Sequence, residues 1–112
     1  MDKNKYFYDD TDALISNKEN SLLLMNFADC VPIILYSPKD NTGAIVHAGW
    51  RGTASKILKK TIIKMRDDLN IHPQNITALI GPSIGECCFE TEYDVFKQLI
   101  ENTENRNLYK EK

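Results

Sequence analysis

No surplus of positive charge marks this chain: 14 lysines and arginines stand against 16 aspartates and glutamates in 112 residues, a formal charge of −2. The basic residues are spread along the sequence, so nothing favours nucleic acid or an anionic membrane surface as partner. Long apolar runs are missing too. No stretch approaches the roughly 20 residues that span a bilayer, and Met1-Asp2-Lys3-Asn4-Lys5 leads into acidic residues where a secretion signal would turn hydrophobic. A cytoplasmic protein is expected. Cysteine is scarce and odd in number, three in all with Cys87 and Cys88 adjacent, which argues against a disulfide framework and for reduced thiols. No internal repeat, low-complexity block or linker composition divides the chain. Its length suits one domain with a modest core, so residues 1–112 are read as a single domain.

What is present is an alternation of short apolar runs and one long amphipathic segment. Asp12-Ala13-Leu14-Ile15-Ser16, Ser21 to Phe27 and Val31 to Tyr36 each read as a strand. Ser37-Pro38-Lys39-Asp40-Asn41-Thr42-Gly43 has turn composition and should close a hairpin between Val31–Tyr36 and Ala44–His47. After Gly52 the period changes. Ala54, Ile57, Leu58, Ile62, Met65 and Leu69 recur at helical spacing, with Lys56, Lys59, Lys60, Lys64 and Asp67 on the other face. This predicts a helix of about five turns with Thr53 as N-cap, ended by His72-Pro73-Gln74-Asn75. Ile76 to Ile80 is a further strand, Gly81-Pro82-Ser83-Ile84-Gly85 a loop, and Val95, Phe96, Leu99 and Ile100 mark one face of a second helix. Glu101 to Lys112 is a polar, ragged end. The fold class expected is α/β, with mixed α+β layers: a central mixed β-sheet flanked by helices.

Chemistry concentrates at two strand ends. The apolar run Leu22–Phe27 leads to Ala28-Asp29-Cys30, and Ala44-Ile45-Val46 leads to His47-Ala48-Gly49-Trp50-Arg51-Gly52-Thr53. A thiolate and an imidazole so placed suit a zinc site or a cysteine hydrolase, because α/β proteins put their chemistry where strands give way to loops. Gly49 and Gly52 would allow tight turns before a helix N-terminus, an arrangement suited to an anion that Arg51 could hold bidentately. The structural alternative puts Trp50 in the core and pairs Arg51 with Asp12 or Asp29. Asp29 itself either orients a ligand or caps a turn. His72, beside Pro73, reads as a solvated loop residue, and Cys87 and Cys88 as small buried apolar side chains.

Asp10-Thr11-Asp12-Ala13-Leu14, Ala28-Asp29-Cys30-Val31-Pro32, His47-Ala48-Gly49-Trp50-Arg51-Gly52-Thr53 and Gly81-Pro82-Ser83-Ile84-Gly85-Glu86-Cys87-Cys88-Phe89-Glu90 follow one another in an order and spacing that resemble one family. It is the bacterial laccase-domain family, first labelled multicopper polyphenol oxidases and later recognised as zinc-dependent purine nucleoside phosphorylases. The resemblance runs from about Asp9 to Phe96. It implies an open, catalytic zinc site of two histidines and a cysteine, with Cys30 and His47 matching two of the three ligands. The other histidine belongs to a Gln-Val-His segment upstream of the first residue here, and full-length members are roughly twice this size. The chain is therefore expected to be a central fragment, truncated relative to the full family fold.

The resemblance further implies purine nucleoside and phosphate as substrates: phosphorolysis of adenosine, inosine or methylthioadenosine, and deamination of adenosine, with Cys30, His47 and Arg51 as the catalytic residues. Copper does not fit, since two histidines cannot build the clusters that multicopper oxidation needs. Two other readings stay open. One is a metal-free hydrolase in which His47 activates Cys30. The other is a non-catalytic fragment, or half of a split protein completed by a separately encoded segment. Sheet edges left bare by truncation should favour a homodimer or aggregate.

Overall fold

The computed structural model describes residues 7–103. Four strands, β1 (Ala13–Ser16), β2 (Val31–Ser37), β3 (Thr42–Ala48) and β4 (Thr77–Ile80), form one sheet in the order β1-β3-β2-β4. Helices α1 (Trp50–Ala54) and α2 (Ile57–Leu69) and a 3-10 turn (Pro73–Asn75) lie between β3 and β4, and α3 (Tyr93–Glu101) follows.

The hairpin forms where turn chemistry demands it. Asn41 takes the left-handed backbone (φ 46°) that asparagine tolerates. Ser37 Oγ donates to Asp40 Oδ2 at 2.7 Å and Thr42 Oγ1 to the Asp40 carbonyl at 3.0 Å. These bonds satisfy the two polar side chains that the turn buries, Ser37 and Thr42. Packing then selects one face of the hairpin. Ile33, Leu35, Ala44 and Val46 are buried with Met65 of α2 and Ile71, and Ile57, Leu58, Ile62 and Leu69 pack around them. The helical stripe read from the sequence is therefore the one that covers the sheet, as Val95, Phe96, Leu99 and Ile100 mark the more buried side of α3.

The expected α+β layers are present. All three described strand pairings, however, are antiparallel, where a mixed sheet was expected. The helical crossover does return β4 in the same direction as β3, but it lands beyond β2, so the two never become neighbours. Three further expectations are corrected. Residues 21–27 form no strand. Leu23, Met25 and Phe27 alternate with more exposed neighbours, but no described strand offers them a ladder. The five-turn helix is two helices, because Lys56 adopts a left-handed backbone (φ 61°) after α1 has closed with the Lys56 N–H on the Thr53 carbonyl at 3.1 Å. Thr53 consequently lies inside α1, its N–H donating to Gly49 O at 2.8 Å, and Gly49 takes the N-cap position. Of the ragged end Glu101–Lys112, the part beyond Thr103 lies outside the described residues, as does the opening Met1 to Lys5.

Candidate functional site

Cross-strand register assembles the site. Pro32 of β2 stands opposite His47 of β3. The His47 N–H donates to the Asp12 carbonyl at 2.7 Å, one residue before β1, and the Gly81 N–H donates to the Pro32 carbonyl at 2.9 Å, one residue after β4. Asp12, His47, Pro32 and Gly81 thus form a single row across the sheet end. Pro32 costs no bond to β3, since its carbonyl, and hence the place its N–H would take, faces β4. Continued one step, the same register sets Cys30 opposite Gly49. Cys30 and His47 then become diagonal neighbours on one face, within reach of each other's longer atoms.

Gly49 makes that reach possible. A Cβ built on Gly49 would lie 3.2 Å from Cys30 Sγ and 3.4 Å from His47 Cε1, so thiol and imidazole converge on the volume that a side chain there would fill. The glycine serves space and not a special turn: its backbone is extended (φ −77°, ψ −176°). Gly52 likewise has no positive φ and instead admits Ile57 and the His47 carbonyl, whose atoms would lie 3.1 and 3.3 Å from a Cβ. Both glycines therefore correct the expectation of glycine-specific backbone turns.

His47 is held from two further sides. Its Nδ1 is 3.5 Å from Asp12 Oδ1, with the histidine side chain 29% exposed, and the ring lies 5.4 Å from that of Phe27 at 31°. A carboxylate at Nδ1 favours the tautomer that leaves Nε2 with the free lone pair, which is how metal-binding histidines are commonly oriented. Asp12 was considered in the sequence only as a partner for Arg51. Its role at His47 is a property of the β1–β3 register, for which the four-residue strand Ala13–Ser16 was the available signal.

The remaining candidates separate. The Arg51 guanidinium carbon stands 4.4 Å from the centre of the Trp50 ring; among the described residues it has no carboxylate partner, so the alternative pairing with Asp12 or Asp29 is absent. Trp50 lines an open cleft of about 580 Å³ with Phe89, Glu90, Thr91, Glu92 and Val95, beside the Cys30–His47 pair rather than around it. Asp29 contributes its backbone, the carbonyl accepting from the Ile84 N–H at 3.0 Å. His72 caps the 3-10 turn before β4 and so lies at the other end of that strand from Gly81. Cys87 and Cys88, expected to be buried, are exposed, because they sit in a turn of the loop after β4.

A cysteine sulfur beside an imidazole is donor chemistry that fits zinc. The pair offers two candidate donors. Among the described residues no group of three or more histidine, cysteine, aspartate or glutamate side chains could hold a metal ion, and no helix is long and apolar enough to cross a membrane.

An α+β domain with a cysteine and a histidine brought together at adjacent strand ends defines the class. The chain belongs to the family described as multi-copper polyphenol oxidoreductase laccase, which matches residues 1–112. A purine nucleoside phosphorylase of Clostridium acetobutylicum is 48% identical over 79 residues, covering 70% of this chain and 34% of that protein. Adenosine deaminase RL5, from an unknown prokaryotic organism, is 35% identical over 96 residues, covering 85% and 36%. The crystal structure of the Bacillus licheniformis protein YfiH superposes with a TM-score of 0.82 at 35% identity, covering 88% of this chain and 37% of that one. The chain thus spans about a third of the length of these relatives.

Proposed function

We propose that this chain carries two of the ligands of a catalytic zinc centre, Cys30 and His47, in an enzyme that cleaves purine nucleosides with phosphate. The convergence of Cys30 Sγ and the His47 ring over Gly49 carries this reading, in a chain whose relatives include a purine nucleoside phosphorylase. The third ligand, a histidine, comes from outside the described residues, either from a segment continuous with this one or from a separately encoded one.

The chain's own groups have distinct tasks. Asp12 fixes the His47 ring and its tautomer, and Phe27 packs against its face. Arg51, with its fork of N–H donors uncommitted to any carboxylate among the described residues, binds phosphate bidentately. Trp50 and Phe89 offer aromatic faces along the adjoining cleft to a flat base. A zinc ion bound here supplies a Lewis acid with an open coordination position. The relative named as an adenosine deaminase favours a second reading, in which water rather than phosphate is the nucleophile and the purine amino group is lost.

The test is zinc content and affinity, in reducing buffer, of the chain produced together with the segment that supplies the third histidine, beside Cys30→Ala and His47→Ala, followed by assay with adenosine and inosine. Zinc lost in both variants, with phosphate-dependent release of free base that ends on chelation, is the expected result. Ammonia release without phosphate assigns deamination. Activity that survives chelation but not Cys30→Ala would replace the zinc reading with a cysteine hydrolase.

A further inference from the structure

The proposed reaction leaves one reactive cluster unused. Cys87 and Cys88 are both exposed, and their Sγ atoms lie 2.7 Å apart. We propose that this vicinal dithiol is a reversible modification site, which a hydroperoxide converts to a disulfide between the two adjacent residues.

The loop presents the thiols side by side. Gly81 is bonded to Pro32 and Ile84 to Asp29, which pins the start of the loop along the segment that carries Cys30. Beyond that, the N–H groups of Cys88 and Phe89 share the Gly85 carbonyl at 3.1 and 3.2 Å, and Glu90 N–H turns back to the Cys88 carbonyl at 3.2 Å. The result is a tight turn with both sulfurs outward. No other cysteine is needed to resolve an oxidised thiol here, because the resolving sulfur is already in contact.

The chemistry balances with the peroxide as the sole oxidant. The Cys87 thiolate attacks the peroxide oxygen, the O–O bond breaks, and an alcohol, or water from hydrogen peroxide, leaves with a proton; Cys87 becomes a sulfenic acid. The Cys88 sulfur then attacks the Cys87 sulfur. The S–O bond breaks, the S–S bond forms, and the departing hydroxide takes the Cys88 proton as water. Two thiols have lost two electrons and the peroxide has gained them. Cys88 suits the second role by geometry, its sulfur lying 2.7 Å from that of Cys87, and the hydrogen bond between the two raises its thiol above the ordinary range.

Reversibility follows from the covalent spacing. Neighbouring Cα atoms are about 3.8 Å apart across a trans peptide, short of the roughly 4.4 Å at which ordinary disulfide spans begin. The bond is therefore strained and easily reduced. Closing it twists the Cys87–Cys88 peptide, one residue before Phe89, which lines the cleft with Trp50, so the oxidised loop reshapes the cleft next to the Cys30–His47 pair.

The experiment treats the reduced 112-residue chain with one equivalent of hydrogen peroxide and reads intact mass, peptide maps and adduct formation with phenylarsine oxide, a probe that bridges paired thiols. Expected is loss of the mass of two hydrogen atoms within a single peptide that contains Cys87 and Cys88, loss of the arsenical adduct, and recovery of both with dithiothreitol. Cys87→Ser and Cys88→Ser each abolish adduct and mass change; Cys30→Ser keeps them. A bond from Cys30 to either thiol, a bond between chains, sulfinic acid on a single cysteine, or a pair that stays reduced under this treatment would overturn the proposal.

Discussion

The two faces of the sheet have different fates. On one, Ile33, Leu35, Ala44 and Val46 lie under α2 and are almost wholly buried. On the other, Ile34 and Leu79 stand opposite each other in register, 47% and 62% exposed, with Tyr36 further along β2 at 45%. His47, Pro32 and Asp12 belong to this open face, as the register requires. The chain builds its own core on the first face over β2 and β3, although Ile80, opposite Ile33 on that face, is 64% exposed, and leaves the second, which carries the candidate site, largely open. Since the relatives are about three times the length of the matched segment, the first face is where this segment's folding is decided. The second is where Cys30 and His47 converge over Gly49.

The largest test of that contrast lies in the core. Leu35→Ala, at a fully buried position, should destabilise the chain by about 2–5 kcal/mol in denaturant unfolding, enough to unfold a domain of this size at moderate temperature. Next come changes that leave the core alone and reach only the site. Asp12→Asn removes the carboxylate at His47 Nδ1 and should weaken zinc binding by about 10–100-fold, measured by competition with a chelating dye. Gly49→Ala places a methyl against Cys30 Sγ and His47 Cε1. Zinc affinity should fall while the unfolding midpoint stays put, because the backbone there is open to any residue. Ile34→Ala, directly beside Leu35 but on the uncovered face, should cost less than about 1 kcal/mol. A value as large as that for Leu35 would mean that the open face is covered in solution. Smallest is Lys64→Ala, which breaks an exposed i,i+4 pair with Asp68 at 3.1 Å and should cost a few tenths of a kcal/mol, read as a minor shift in thermal midpoint.

These contrasts also explain what could be read beforehand. The hairpin from Val31 to His47 was legible because turn residues and alternation agree there, and the stripe from Ile57 to Leu69 because its period matches the face it buries. The run Leu22–Phe27 has strand composition, yet a strand exists only with a partner, and none of the described strands supplies one. The break at Lys56 carries no signal, since lysine is an ordinary helix former and its left-handed backbone follows from how α1 closes. For the site, Cys30 and His47 stood out by residue type and position at the ends of apolar runs. That Asp12 would meet His47 depends on the pairing of β1 with β3 rather than β2, which sequence order hides. The exposure of Cys87 and Cys88 was missed because a cysteine is ordinarily a small buried hydrophobe, and nothing local shows that their turn faces outward.

The bonds from Gly81 to Pro32 and from Ile84 to Asp29 make the first residues of the last loop a continuation of the sheet's pattern, and a Cβ on Gly81 would come within 2.8 Å of Pro32 Cγ. For protein engineering this draws a boundary. Positions 81–84 are closed to insertion and position 81 to side chains, whereas loop length can be varied beyond Gly85, where no further rung ties the chain to β2. A cleft re-cut for a bulkier ligand is best grafted there, downstream of the last rung and upstream of α3, with the Cys30–His47 geometry untouched.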